Sequence, residues 1–221
     1  MKFATLVVLA VVAIAAWAGS PVTLAGDGRN ISSVNGTVTG SSGETYGTLS
    51  AVNGNVNVGN GVTADLAKTV NGEIEVGNHA KLGEAKTVNG SVDIGDDVAI
   101  TGNASTVNGG VEVGKRSRVG GDVTTVNGEI EIDGAEVAGK LITRNGDIEL
   151  TDGARVRGGI HIKTQNDSNW GWGKDKDEPV KVHICSTCIV DGELRFERAV
   201  ELRVDAGAKI GQVIGDKVTR R

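Results

Sequence analysis

Apolar residues return at every sixth position through the middle of the chain, as Val70, Val76, Leu82, Val88, Ile94 and Ile100. After a one-residue slip the series continues as Val107, Val113 and Val119. Four places on from these anchors runs a second apolar set, Ile74, Ala80, Val92, Val98, Val111, Ile130 and Ile148. Paired apolar positions with polar residues between them describe short strands that bury one face, and the spacing excludes helices. Three six-residue sides make one rung.

The frame is T-V-N-G. Val-Asn-Gly begins at Val34, Val52, Val70, Val88, Val107 and Val126, with a degenerate copy at Arg144-Asn145-Gly146. Its asparagines, Asn35, Asn53, Asn71, Asn89, Asn108, Asn127 and Asn145, lie 18, 18, 18, 19, 19 and 18 residues apart. Such a fixed period is the mark of a coiled repeat architecture. Three residues before each copy after the first stand Leu49, Ala67, Ala85, Ala104, Val123 and Leu141, a further inward column. The extra residue of a longer period then falls in the corner before that column, as a bulge. Strands this short are not stable alone, but winding them so that each pairs with its copies above and below completes the ladder and stacks valine on valine. Asn-Gly turns the corner because both residues accept positive φ, and stacked asparagine amides can hydrogen-bond along the column. The expectation is an all-β chain, a single parallel β-helix (β-solenoid) with triangular rungs of 18–19 residues; either hand of coil satisfies the pattern.

Residues 1–25 read as a secretory signal peptide. Lys2 precedes an apolar run from Ala4 to Ala16, with small-residue cleavage points after Ala18 and, preferred because Pro21 ends the apolar segment, after Ala25. The alternative is a retained N-terminal anchor, but thirteen apolar residues fall short of the ~20 that span a bilayer. Residues 26–221 then form one solenoid domain, about nine or ten rungs and roughly 45 Å long at ~4.8 Å per rung. Losing Lys2 moves the formal charge from −5 to −6. That balance argues against nucleic acid or an anionic membrane surface as a partner.

Outward positions on one side carry Glu73, Glu75, Asp93, Glu112, Glu129, Glu131, Asp147 and Glu149. This acidic stripe is either a solvated face that keeps the rod soluble or a row of carboxylates that attracts cations; the calcium-loop patterns are absent, so no metal is assigned. Arg144 occupies a column read as inward valine, which calls for a distorted rung that turns it outward, or for a carboxylate such as Asp147 or Glu149. The first rungs are untidy around Ser41-Ser42-Gly43, with Tyr46 expected to fill the corner column there. The period breaks after Ile162 into a polar, glycine-rich stretch, a side loop at 164–180 containing Trp170 and Trp172. Two readings stand: the indoles bind a glycan or protein partner, or they fold back over the rod. The pattern resumes at Ile184, Val190, Phe196 and Leu202. Cys185 and Cys188, in C-S-T-C, read as a disulfide across a corner, as two reduced core thiols, or as a metal or redox pair with His183; a zinc site lacks its remaining ligands, since His79 and His161 lie rungs away. The tail from Gly207 reads as a cap that frays.

The rungs V-N-G-E-I-E, V-G-N-H-A-K, I-G-D-D-V-A and V-G-K-R-S-R resemble the hexapeptide repeat of left-handed β-helix acyltransferases. They are similar also to bactofilins, and most of all to exported bacterial β-strand-repeat proteins of adhesin-like type, in which V-N-G recurs behind a signal peptide. The resemblance spans about residues 31–162 and, more weakly, 184–214. It implies a non-enzymatic exported envelope protein, periplasmic or at the cell surface, structural or adhesin-like, with no cofactor. An acyl-CoA-dependent reaction does not suit an exported chain whose histidines sit off any protruding loop. Partners would be an envelope glycan or protein at the 164–180 loop, or further copies of the chain, with no membrane span after signal cleavage. The competing expectation is a carbohydrate-binding or polysaccharide lyase-like β-helix.

Overall fold

The computed structural model describes residues 22–24, 28–164 and 178–220. Every named element is a strand, and every strand pairing is parallel. One side of the coil is an 11-stranded sheet running from Val22–Leu24 to Val218–Arg220; the other two sides belong to a 16-stranded sheet. Ten steps between eleven strands at ~4.8 Å give a β-solenoid roughly 48 Å long. Most of the signal-peptide reading, with the apolar run and Ala18, lies outside the described residues, as do Trp170 and Trp172.

Side one carries the stacked pairs Val56, Ile74, Val92, Val111, Ile130, Ile148 and Val182, each partner directly over the last. All are at most 1% exposed. Leu49, Ala67, Ala85, Ala104, Val123 and Leu141 form a dry column on side three. Early in the coil, sides two and three are one bent strand, as in Lys81–Lys86. From Ala99–Ile100 and Ala104–Ser105 onward they are separate strands, because three residues (101–103) stand where Gly83 and Glu84 stood. The nineteenth residue sits at that corner, where the sequence puts the bulge.

One inward column differs from the sequence reading. Val34, Val52, Val70, Val88 and Val107 face outward, 38–49% exposed, and the residue before each later one is buried instead: Thr69, Thr87, Thr106 and, before Val126, Thr125. Strict alternation from Ala67 already sets Thr69 inside and Val70 outside. The buried hydroxyl is satisfied because each Thr Oγ1 donates to the carbonyl of the preceding Val-Asn-Gly glycine, Gly54, Gly72, Gly90 and Gly109, at 2.7–2.9 Å. Arg144 therefore stands in an outward column and needs no distorted rung.

The glycine of each Val-Asn-Gly is fixed by close approach. A Cβ on Gly72, Gly90, Gly109 or Gly128 would run into the carbonyl oxygen of the glycine one rung back. At the opposite corner His79, Asp97, Arg116 and Asp152 hold positive φ, at 63, 57, 59 and 50°. In the untidy first rungs Ser41–Gly43 form this corner, and the irregularity is Gly40 in the place of Val58. Tyr46 fills the gap, its ring against Gly40 and its hydroxyl accepting from Ser41 N–H at 2.8 Å.

Two boundaries move, and one strand bears on a third. Val22–Leu24 pairs in register with Val38–Gly40, so a cut after Ala18 keeps that strand and a cut after Ala25 removes it. The ladder resumes at Val180, not Ile184: Val180–Ile184 pairs with Val200–Val204, and Val182 stacks on Ile148. The tail continues the coil, since Val218–Arg220 pairs with Val200–Leu202.

Candidate functional site

The predicted asparagine column is a hydrogen-bonded ladder. Each Nδ2 donates to the Oδ1 one rung back, Asn53 to Asn35, Asn71 to Asn53, and so on to Asn145 on Asn127, at 2.8–3.0 Å. The backbone joins in, with successive asparagines bridged in parallel from Asn53 to Asn145. The ladder stops where the insertion leaves. Lys163 N–H still donates to Thr143 O, one rung on, and the described residues end at Thr164 and resume at Glu178.

Two consecutive residues of the following rung hold both feet of the insertion. Glu197 accepts from the Thr164 N–H at 3.2 Å and from His161 Nε2 at 2.8 Å. An ionised carboxylate only accepts, so Nε2 carries the hydrogen in that bond. The His161 hydrogen bond, then the Thr164 amide, lowers the Glu197 pKa below the usual carboxylate value. Arg198 donates through Nη2 to Glu178 O on the returning foot, at 3.2 Å. Its Nη1 donates to Arg144 O at 2.9 Å and to Asn145 Oδ1, the acceptor at the end of the ladder. Arg198 thus caps the amide column across the missing rung, and no local sequence signal marks it, because it lies 53 residues from Asn145. Thr143 Oγ1 at this corner is buried without a hydrogen-bond partner, unlike the four threonines before it. Between the returning foot and side one is an open hollow of about 510 Å³, lined among others by Asn145, Asp147, Glu178, Lys181 and Arg198.

The acidic stripe lies on side one as expected. Glu75, Asp93, Glu112, Glu131 and Glu149 form one continuous column. Burial raises the Glu131 pKa, and Glu112, Glu149, Glu129 and Asp133 add to it. The Glu73 pKa is raised first by a hydrogen bond with Asp93. The column then changes sign, with His183 over Glu149 and Arg203 over His183. The His183 ring lies between Glu149 and Asp205, at 3.4 and 3.1 Å. The His183 hydrogen bond is the largest cause that lowers the Asp205 pKa, and Arg203 adds to it.

Cys185 and Cys188 are joined in a disulfide, with Cα atoms 5.1 Å apart. Their sulfurs are not available to a metal. The bond crosses the corner that elsewhere uses a positive-φ residue, and Cys188 N–H donates to Cys185 O at 3.0 Å as Ala154 does to Thr151 one rung earlier. Neither Ser186 nor Thr187 has positive φ. A β-branched Thr is poorly suited to it, so the covalent staple stands where the other corners use a left-handed residue.

Comparison with known protein families, with curated proteins and with solved structures finds no match.

Proposed function

We propose that this chain is a non-catalytic, exported scaffold of the cell envelope, structural or adhesin-like, that carries the 165–177 segment on a stiff rod. The observation that supports this reading best is the double anchorage by Glu197 and Arg198. One rung ties down the outgoing foot, the returning foot and the end of the asparagine ladder together. Charged side chains elsewhere are engaged between rungs: Arg116 with Asp97, Lys115 with Asp152, Arg118 and Arg157 with Glu136, Arg155 with Asp191. Such groups serve cohesion of the coil rather than a converging reaction centre.

In this reading Trp170 and Trp172 supply the contact with a glycan or protein, since indoles stack on sugar faces and bury apolar area. The hollow beside Glu178 and Arg198 favours the carbohydrate-binding alternative, because a carboxylate and a guanidinium together hydrogen-bond vicinal hydroxyls. Pulldown of peptidoglycan, lipopolysaccharide and envelope extracts tests both readings with the parent, a deletion of 165–177, Trp170→Ala/Trp172→Ala and Arg198→Ala. Loss on deletion and in the tryptophan variant supports the scaffold; loss in Arg198→Ala alone supports the hollow. Equal binding by all four refutes both. Cell fractionation with N-terminal sequencing tests export, and we expect cleavage after Ala18, which preserves the strand Val22–Leu24.

A further inference from the structure

We propose that a second copy of this chain docks on the outward valine ridge, with the two rods side by side and running in the same direction. The ridge is built by Val34, Val52, Val70, Val88 and Val107, all exposed, and continues through the half-buried Val126. One valine per rung makes a straight apolar line of six, about 24 Å long. The coil does not need it: the buried member of each Thr-Val pair is the threonine, and any residue that tolerates an extended backbone would serve outside. A soluble rod that keeps valine there in six successive rungs presents a surface suited to contact.

The occupant follows from spacing and charge. A partner that meets every valine with an apolar group must repeat at the same axial step of ~4.8 Å. A second copy does so. Around the corner the outward columns run in a fixed order. First comes the column of Ser50, Lys68, Lys86 and Ser105, then the valines, then the asparagine ladder, then Glu73 and Glu129 at the start of the acidic side. A two-fold axis along the rods sets Lys68 and Lys86 of one copy toward the carboxylate side of the other, twice over. An axis across the rods sets lysine against lysine, a costly juxtaposition. The parallel arrangement is the complementary one. A ridge one side chain wide, even with its flanks, covers less than the ~800 Å² per partner of a standard stable interface, so the association is reversible and concentration-dependent.

Sedimentation equilibrium of the purified chain over a wide concentration range tests this with two sets of variants. Val52→Thr/Val70→Thr/Val88→Thr keeps the β-branched shape and should melt with the parent, while requiring at least roughly tenfold more protein for the same dimer fraction. Lys68→Glu/Lys86→Glu and Glu73→Lys/Glu75→Lys should each self-associate less than the parent, and their equimolar mixture should recover association. A parent that stays monomeric throughout, or a threonine variant that dimerises like the parent, overturns the proposal. A mixture no better than its components overturns the parallel arrangement. Retention of monomeric parent on lipid vesicles or glycan beads that the threonine variant loses would assign the ridge to that occupant instead.

Discussion

The rungs from Asn35 to Asn145 and those from Arg155 to Arg220 have the same sheets and the same inward stacking, yet they are held at their corners in different ways. The first region repeats one solution: an amide ladder, a glycine column beneath it and a threonine hydroxyl donating to the carbonyl of Gly54, Gly72, Gly90 and Gly109. The second keeps a glycine stack at one corner, Gly158, Gly192 and Gly211, and adds devices that occur once: a disulfide at Cys185, a guanidinium at Arg198, an ion pair of Arg155 with Asp191 and a histidine between two acids. Where the rungs are uniform each device supports its copies. Once the amide column ends at Asn145, the fastenings that follow it are single ones. Damage in the uniform region should therefore be cooperative and in the distal region local.

The largest expected effect separates the two sets of valine-like positions. Ile94→Asp places a charge in a dry stack and should cost several kcal/mol, whereas Val88→Asp changes stability by less than ~1 kcal/mol. Chemical denaturation of both variants checks this; comparable losses would mean that the outward assignment of Val88 is wrong. Reducing the disulfide, or Cys185→Ser/Cys188→Ala, opens a four-residue loop and should cost about 2 kcal/mol. Hydrogen exchange should show the increase confined to the rungs around 180–210, and acceleration spreading back to Asn89 would refute the local picture.

Asn89→Ala removes one ladder bond given and one received, for a loss of about 1–2 kcal/mol. Protection should fall at Asn71 and Asn108 as well, in proportion to their shared column. The smallest effect is electrostatic. Glu131 has a folded pKa above its unfolded value, so its ionisation disfavours the native state, and the penalty appears as pH rises through the unfolded and then the folded pKa. Glu131→Gln should raise stability at pH 7 by up to ~1 kcal/mol and lose that advantage on acidification toward pH 4. Asp97, Asp152, Glu197 and Asp205 have the opposite sign, so their contribution is present at neutral pH and fades as pH falls through their lowered pKa values. Thermal melts of parent and variant at several pH values separate the two groups.

The coil was legible because its rule is local and repeated: every six residues the chain turns, and each Asn-Gly announces the same corner. The valine of that motif was misread for a physical reason. Apolar spacing alone placed Val70 inside, but Ala67 two places before Thr69 had already fixed the alternation, and a threonine is tolerated in the core once its hydroxyl has the Gly54 carbonyl. For Cys185 and Cys188 the sequence left a disulfide beside reduced thiols and a metal or redox pair; the bond stands in a turn that lacks a left-handed residue, which C-S-T-C alone does not reveal. Arg198 left no trace, because its partners Arg144, Asn145 and Glu178 come together only after the insertion has been closed.

The glycine column also governs how such a molecule can change its size. Each of these glycines leaves no room for a Cβ over the carbonyl one rung back, and each asparagine amide hands its hydrogen to an identical neighbour, so a rung is interchangeable with the one beneath it. Excision of residues 72–89 would bring Asn71 directly before Gly90 and join matching registers. The product would be a rod shorter by one step of ~4.8 Å, with every column intact. Removing nine residues would leave every column facing the wrong neighbour. The length of the rod is thus a whole number of turns: single residues and side segments can be added at the corners, but the rod itself grows or shrinks one turn at a time.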